Sequence, residues 1–322
     1  MMSLVTLEQV RSAAERIRGV AAVTPLVEAA GDGLRVWLKC ENLQRTGAFK
    51  IRGAYNMMSR LAGAGALEGA VTYSSGNHGL AVACAARMLG VPAVIVMPET
   101  APAVKVEGAR SLGAEVIFEG RTTIQRKARA EAEASARGLT IVPPFDHPDI
   151  IAGQGTIGLE ILEQLPRVSA VFVPVSGGGL ISGIAAAIKG SRAGIRVVGV
   201  EPSGAPKMTE SLRAGHPVTL ERTSSIADGL LAVRPGETTF PHVQALVDEI
   251  VRVDDDRIVE AMKWLFSAAK LVVEPSGAIA AAAALAEGPQ AAGSGTAANV
   301  AVLSGGNVAA ADYARWVAGP AF

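Results

Sequence analysis

Two cysteines in 322 residues leave no room for a disulfide scaffold. Cys40 and Cys84 sit in apolar surroundings, are not spaced as a CxxC metal pair, and read as buried free thiols of a cytoplasmic protein. Excess charge is also missing. Thirty Lys and Arg balance thirty Asp and Glu, so there is no basic footprint for nucleic acid or for an anionic membrane surface. A small ligand is the partner to expect. Long apolar runs are absent too. The longest, Ala278 to Ala286, is mostly alanine, ends at Glu287-Gly288, and reads as a buried helix rather than a membrane span. The N-terminus shows no charged region followed by an apolar stretch, so no signal peptide is expected. Internal repeats and a disordered tail are also lacking.

What the chain does have is apolar material, 49% of its residues, and a length suited to two modest domains. Residues 7–18 have helical spacing, with Thr6 as N-cap. VWLKCE (36–41) reads as a strand, and residues 48–63 read as a helix beginning near Lys50. From Val71 strands and helices alternate. Strands AVTYSS, AVIVMP, AEVIFEG and LTIVPPF are separated by helices at 76–90, 101–113 and 121–137. Pro143-Pro144 marks the exit. Helix 153–165, strand AVFVPV (170–175), helix 180–189 and strand IRVVGVE (195–201) form a second series. A Pro/Gly-punctuated stretch runs from Pro202 to about Pro241. Helices 255–270 and 276–287 and a strand at 300–306 follow. The pattern predicts two open α/β sheets, the first inserted into the second.

Four segments carry candidate chemistry. Lys50 lies where a polar turn gives way to a helix, and a helix start disfavours a cation. A desolvated ammonium there loses its proton readily, and a neutral amine attacks aldehydes. Phe49 could wall one face of a flat ring. The competing reading is a surface lysine in a basic helix beside Arg45 and Arg52. The turn Ser176-Gly177-Gly178-Gly179-Leu180 follows an apolar strand and opens a helix, a geometry that suits a phosphate. No P-loop lysine follows it. A dinucleotide reading competes here, since Glu201 ends the next strand, although position 182 is Ser and the spacing is not GxGxxG. Ser74-Ser75-Gly76-Asn77-His78 is another strand-to-helix turn, suited either to a carboxylate or to plain helix capping. Ser304-Gly305-Gly306-Asn307 is a fourth strand end. Ligands of open α/β sheets gather at the carboxyl ends of strands, so all four could face one crevice.

Taken in order, KCENLQRTGAFKIRGA, SSGNHGLA, IAGQGTIGLEI, VPVSGGGLISG, GVEPSG, VEPSGA and LSGGN resemble the fold-type II pyridoxal-phosphate enzymes over nearly the whole chain. The branch they resemble is that of the serine/threonine dehydratases (threonine ammonia-lyases) and serine racemases. FKIRGA is similar to the dehydratases rather than to the cysteine or threonine synthases.

The resemblance implies a tryptophan synthase β-like fold. Residues 1–68 and 147–322 would form the large cofactor-binding domain and 69–146 a small mobile one. It implies that Lys50 bears pyridoxal 5'-phosphate covalently, with Phe49 against the pyridine ring and Asn77 on its hydroxyl. Ser176, Gly177, Gly178, Gly179 and Leu180 would cradle the phosphate, and Ser304 would meet the pyridine nitrogen. Ser74, Ser75, Gly76, Asn77 and His78 would hold the substrate carboxylate.

Lys50 would then remove the Cα proton of L-serine, L-threonine or 3-hydroxyaspartate, giving a 2-oxo acid and ammonia. A neutral Ser304 would leave the ring a weaker electron sink than an aspartate partner would. Ser75 matches the racemase branch, where it reprotonates Cα, so racemization stays open behind elimination. His78, Phe145 and Gln154 are candidates to meet the β-substituent. Racemase-like members bind a divalent cation through positions matching Glu201, Ala205 and Lys207. With lysine at 207, its ammonium would replace the metal and pair with Glu201. A homodimer is expected by analogy. The chain ends soon after LSGGN, without the regulatory domain of the biosynthetic threonine deaminases, so feedback control of that type is not expected.

Overall fold

The computed structural model describes residues 3–31, 34–74, 76–101, 103–287 and 298–319. It contains the two expected sheets. The first has six strands in the order β1-β2-β10-β7-β8-β9: β1 (Leu26–Gly31), β2 (Leu34–Lys39), β7 (Val168–Pro174), β8 (Arg196–Pro202), β9 (Glu249–Val253) and β10 (Ala298–Val302). All its pairs are parallel except β1 with β2. The second is fully parallel, in the order β5-β4-β3-β6: β3 (Ala70–Thr72), β4 (Ala93–Met97), β5 (Glu115–Phe118) and β6 (Thr140–Ile141). Its strands all fall between β2 and β7 in the chain.

The period of two along a strand explains the layers. Phe172, Val198 and Ala301 face one way, onto α10 (Asp255–Trp264) and α11 (Pro275–Glu287). Their neighbours Val171, Val173, Val197, Val300 and Val302 face the other way, onto α6 (Pro148–Gln164), α7 (Gly179–Ser191) and α9 (Thr239–Leu246). With helices on both sides the central strands are buried throughout, hence unbroken runs such as VSAVFVP. The alanine run is α11, buried as expected. The second sheet packs Ile95 and Met97 onto α2 (Ile51–Gly63), α3 (Asn77–Leu89) and α4 (Ala103–Ser111). Val71, Val94 and Val96 meet α5 (Thr123–Arg137) on its other face.

Several elements differ from the sequence reading. Helix α1 (Leu7–Arg16) has Thr6 as N-cap in a capping box with Gln9 but stops at Ile17. Helix α6 starts five residues early, with Pro148 in its first turn and the His147 ring accepting from the Asp149 N–H. Strand β6 is only two residues long, because Pro143 and Pro144 have no N–H to give a ladder. The punctuated stretch after Pro202 contains α8 (Lys207–Ala214) and runs into α9. Strands β1 and β9, and the eight-residue helix α12 (Ala310–Val317), were not among the elements expected from the sequence. Helix α10 ends in a π turn over Leu265–Ala269, closed by Lys270 at φ 58°.

Candidate active site

A cavity of about 360 Å³ lies at the carboxyl ends of the strands of both sheets. Phe49, Lys50, Ser74, Gly76, Asn77, His78, Ser176 to Leu180 and Ser304 all line it. The tertiary structure therefore gathers four turns that are far apart in the chain. Ser75 lies outside the described residues.

Lys50 is the N-cap of α2 and has no side-chain capping bond. Its Nζ donates to the Pro144 carbonyl at 2.8 Å and sits 4.9 Å from the centre of the Phe49 ring. Burial in this apolar mouth lowers its pKa to about 8. The surface-lysine reading fails one turn on, because Arg52 is fully buried. Its guanidinium donates to Glu41 at 2.7 and 2.8 Å and to Glu160 at 2.6 and 3.0 Å. Lys39 adds a 2.5 Å ion pair to Glu160. This paired network anchors the first turn of α2, and so the backbone that carries Lys50.

The segment before Lys50 is stitched to the turn after β10. Ala48 bridges Gly305, and the Phe49 N–H donates to the Ser304 carbonyl at 3.1 Å. Ser304 Oγ is buried and reaches the Ser276 carbonyl at 3.3 Å.

Two helix N-termini face the cavity. At α7 the N-cap is Gly178, at φ 101°, without a side-chain cap. The N–H groups of Ser176 to Gly179 have no backbone acceptor among the described residues. The Gly177 carbonyl is turned away, held by the Gly236 N–H and by the Thr239 hydroxyl. A Cβ at Gly177 or Gly179 would run into Phe145, so glycine is required for the turn to pass this ring. At α3 the N-cap is Gly76, again without a side-chain cap, and Ser74 lines the wall nearby. Orphan N–H groups at a helix start form an anion site; here two such starts and the Lys50 amine line one cavity.

His78 is buried, and its Nε2 meets the Val142 carbonyl at 2.9 Å. Burial, and then the nearby Lys50, press its pKa to about 3, so the ring is neutral. Its Nδ1 has no hydrogen-bond partner among the described residues. Phe145 lines the cavity, but Gln154 does not: its side chain packs against Gly53 behind α2. The expectation that Gln154 reaches the β-substituent is therefore corrected, since helix α6 aims it at the α2 backbone.

The structure adds residues that sequence reasoning did not single out. Glu274 is buried at the cavity wall and accepts from Asn77 Nδ2 at 2.7 Å. Its motif, VEPSGA, was visible, but nothing in it distinguished the acid from a capping residue. Arg126 of α5 also lines the cavity, with its basicity lowered by burial. Its guanidinium donates to the Tyr73 and Arg121 carbonyls and the Thr123 hydroxyl, and it makes no ion pair among the described residues. Lys105 of α4 pairs with Asp228 at 3.5 Å across the mouth.

Lys207 lies beneath the glycine turn. Its Nζ donates to the carbonyls of Val175, Ala205 and Leu230 at 3.0–3.1 Å and stands 3.4 Å from Glu201. Both side chains are fully buried. Burial lowers the Lys207 pKa, and Glu201 offsets part of that. Glu201 also accepts from the Met208 and Thr209 N–H groups that open α8.

Residues 17–305 match the family model described as pyridoxal-phosphate dependent enzyme. An L-threonine ammonia-lyase of Thermotoga maritima is 43% identical over 88% of this chain and 71% of its own. An L-threo-3-hydroxyaspartate ammonia-lyase of a Pseudomonas species is 42% identical over 88% and 90%. The solved structure of maize serine racemase superposes with a TM-score of 0.90 at 40% identity, covering 97% of each chain.

Proposed function

This chain belongs to the family of pyridoxal-phosphate dependent enzymes, and from that premise we propose that it is an ammonia-lyase converting a small β-hydroxy amino acid to a 2-oxo acid and ammonia. The observation that carries the reading is that one half-buried amine, Lys50, and two helix starts without side-chain caps line a single cavity. The cavity suits a flat aldehyde with a phosphate tail. Orphan N–H groups at Ser176 to Gly179 would take the phosphate, and Phe49 offers a ring face. Ser304 offers a neutral hydroxyl to the ring nitrogen, and Asn77 offers an N–H to the ring hydroxyl. When bound, the cofactor supplies the electron sink that makes a Cα proton removable.

The protein's own groups do the rest. The N–H groups opening α3, with Ser74, would hold the substrate carboxylate. An amine with a pKa near 8 is neutral in a useful fraction at neutral pH, so Lys50 Nζ would take the Cα proton and return it to the leaving hydroxyl. His78 stays neutral and would act only as a hydrogen-bond partner. Ser75 would be the proton donor on the opposite face if racemization accompanies elimination. Measuring 2-oxo acid and ammonia release from a panel of β-hydroxy amino acids tests this. D-amino acid formation without ammonia would replace the reading with racemization, and a Lys50→Ala protein that keeps full activity would refute it.

One observation favours a dicarboxylic substrate such as 3-hydroxyaspartate. Arg126, a guanidinium without an acid partner among the described residues, lines the cavity and donates to the carbonyl of Tyr73, the residue before Ser74. A second carboxylate would pair with it. The four-stranded unit, residues 69–146, would be the mobile part, with Lys105–Asp228 as a closing contact. We further propose that the enzyme needs no divalent cation at Glu201, because the Lys207 ammonium already fills a cage of three carbonyls and a carboxylate. Buried free thiols at Cys40 and Cys84 suit a cytoplasmic enzyme. A homodimer is the expected assembly, to be checked by light scattering.

A further inference from the structure

Glu274 is a carboxyl group with an unusual setting. It is 6% exposed, lines the cavity, and forms no ion pair with any described residue. A buried acid without a cation is costly unless its location serves something. Its backbone position is fixed twice over. The Glu274 N–H donates to the Gly305 carbonyl at 3.1 Å, and its carbonyl accepts from Gly277 and Ala278 at the start of α11. Its side chain points at Asn77.

The Asn77 amide is held in one orientation by a chain of bonds. Asn307 Nδ2 is tied to the Thr46 carbonyl at 2.7 Å and also donates to Asn77 Oδ1 at 2.8 Å. An amide pointing its oxygen at Asn307 must point its nitrogen the other way. There Asn77 Nδ2 donates one hydrogen to Glu274 Oε1. An amide nitrogen carries two hydrogens, and no described residue accepts the second. The approach is close enough that a Cβ at Gly305 would run into both Glu274 and Asn77.

We propose that Glu274 is a positioning residue that fixes the Asn77 amide with one N–H free for the heteroaromatic hydroxyl of the cofactor and, through its own charge, sets the protonation of that hydroxyl. The inference rests on the proposed reading that Asn77 meets this hydroxyl. The geometry survives protonation, because a carboxylic acid still offers a carbonyl oxygen to Asn77. What changes is a unit charge one amide away from the ring. An ionised Glu274 disfavours an anionic ring oxygen; a neutral one lets the Asn77 N–H stabilise it.

The groups facing the carboxyl are Asp228 on the 227–232 loop, Lys105 on α4, Asn77 on α3, and the Asn307 backbone, with Lys50 in the same cavity. Burial, and then Asp228, push the Glu274 pKa up to about 7, with Asn77, Lys105 and Asn307 pulling it down. The switch therefore lies in the working pH range.

The test is a pH titration of the visible absorption of the bound cofactor between pH 5.5 and 8.5 in wild type and in Glu274→Gln. Glutamine keeps the oxygen that Asn77 needs and removes only the charge. Wild type should show a spectral step near pH 7; the variant should bind cofactor and lose that step. The cofactor-free proteins give a second readout. The raised carboxyl costs stability as pH climbs from its ordinary value through its folded one. Glu274→Gln should thus melt above wild type at pH 8, with the gap closing at pH 5. A variant that keeps the step at the same midpoint, or a wild type with no step in this range, overturns the inference. The wild-type titration decides even if the variant does not fold. A chain that takes up no cofactor at all would instead overturn the functional reading beneath it.

Discussion

Replacing Lys50 by methionine should stabilise the cofactor-free protein at neutral pH while removing the amine proposed to take the Cα proton. Burial lowers the Lys50 pKa from 10.5 to about 8. At about 1.4 kcal/mol per pH unit this is a cost of roughly 3 kcal/mol for keeping the ammonium charged in the fold. Lys50 borders a cavity that admits water, so screening brings the figure to roughly 2 kcal/mol. Methionine forfeits the bond to the Pro144 carbonyl, about 1 kcal/mol, and gains apolar contact with Phe49. The net expectation is about 1–2 kcal/mol of stabilisation at pH 7, a rise in Tm of roughly 1.5–3 °C for a chain of this length.

The pH dependence gives the signature. Below pH 8 the amine is charged in both folded and unfolded chains, and wild type bears the full cost. Between about 8 and 10.5 the unfolded chain holds the proton and the folded one does not, so wild-type stability rises with pH. The advantage of Lys50→Met should therefore shrink above pH 8 and be gone by about 10.5. Paired thermal melts at pH 7, 9 and 10.5 check it. A variant less stable than wild type at pH 7, or a difference that ignores pH, would refute the electrostatic account of Lys50.

Four other outcomes are expected. Gly177→Ala should drive a methyl group into Phe145 and weaken cofactor uptake at least tenfold, read by absorbance titration of the cofactor-free protein. Arg126→Gln should raise KM for 3-hydroxyaspartate roughly tenfold or more, the loss of a charged hydrogen bond of about 1.5–3 kcal/mol, and leave KM for serine nearly unchanged; equal effects on both would place Arg126 in the fold rather than in the substrate pocket. Chelation by EDTA should leave activity unaltered, since Lys207 occupies the oxygen cage; loss restored by magnesium would contradict the metal-free reading. Arg52→Met leaves the buried Glu41 without its cation, while Glu160 keeps Lys39, and should cost about 3–5 kcal/mol in denaturant unfolding.

Much of the architecture could be read from the chain because its signals are local. Central strands such as VSAVFVP and AVIVM are continuous apolar runs, since helices cover both sheet faces. Glycine and serine at the strand ends marked the turns that line the cavity. Edge strands were harder. LVEAAG and EIVRV are stabilised by one neighbour and a partly wet face, which leaves no clear period. Helix α8 hid in a punctuated stretch because its cap comes from Glu201, a residue outside its own first turn.

The alternation of strands and helices, the glycine turns and the lysine at a helix start all follow from backbone sterics and apolar period over a few residues. That Arg52 is a buried anchor rather than a surface cation, that Gln154 points away from the cavity, and that Lys207 sits in an oxygen cage emerged from the folded chain alone. So did the meeting of Glu274 with Asn77 from 197 residues away. Burial and charge pairing depend on which distant segments meet, and no local pattern encodes that distance.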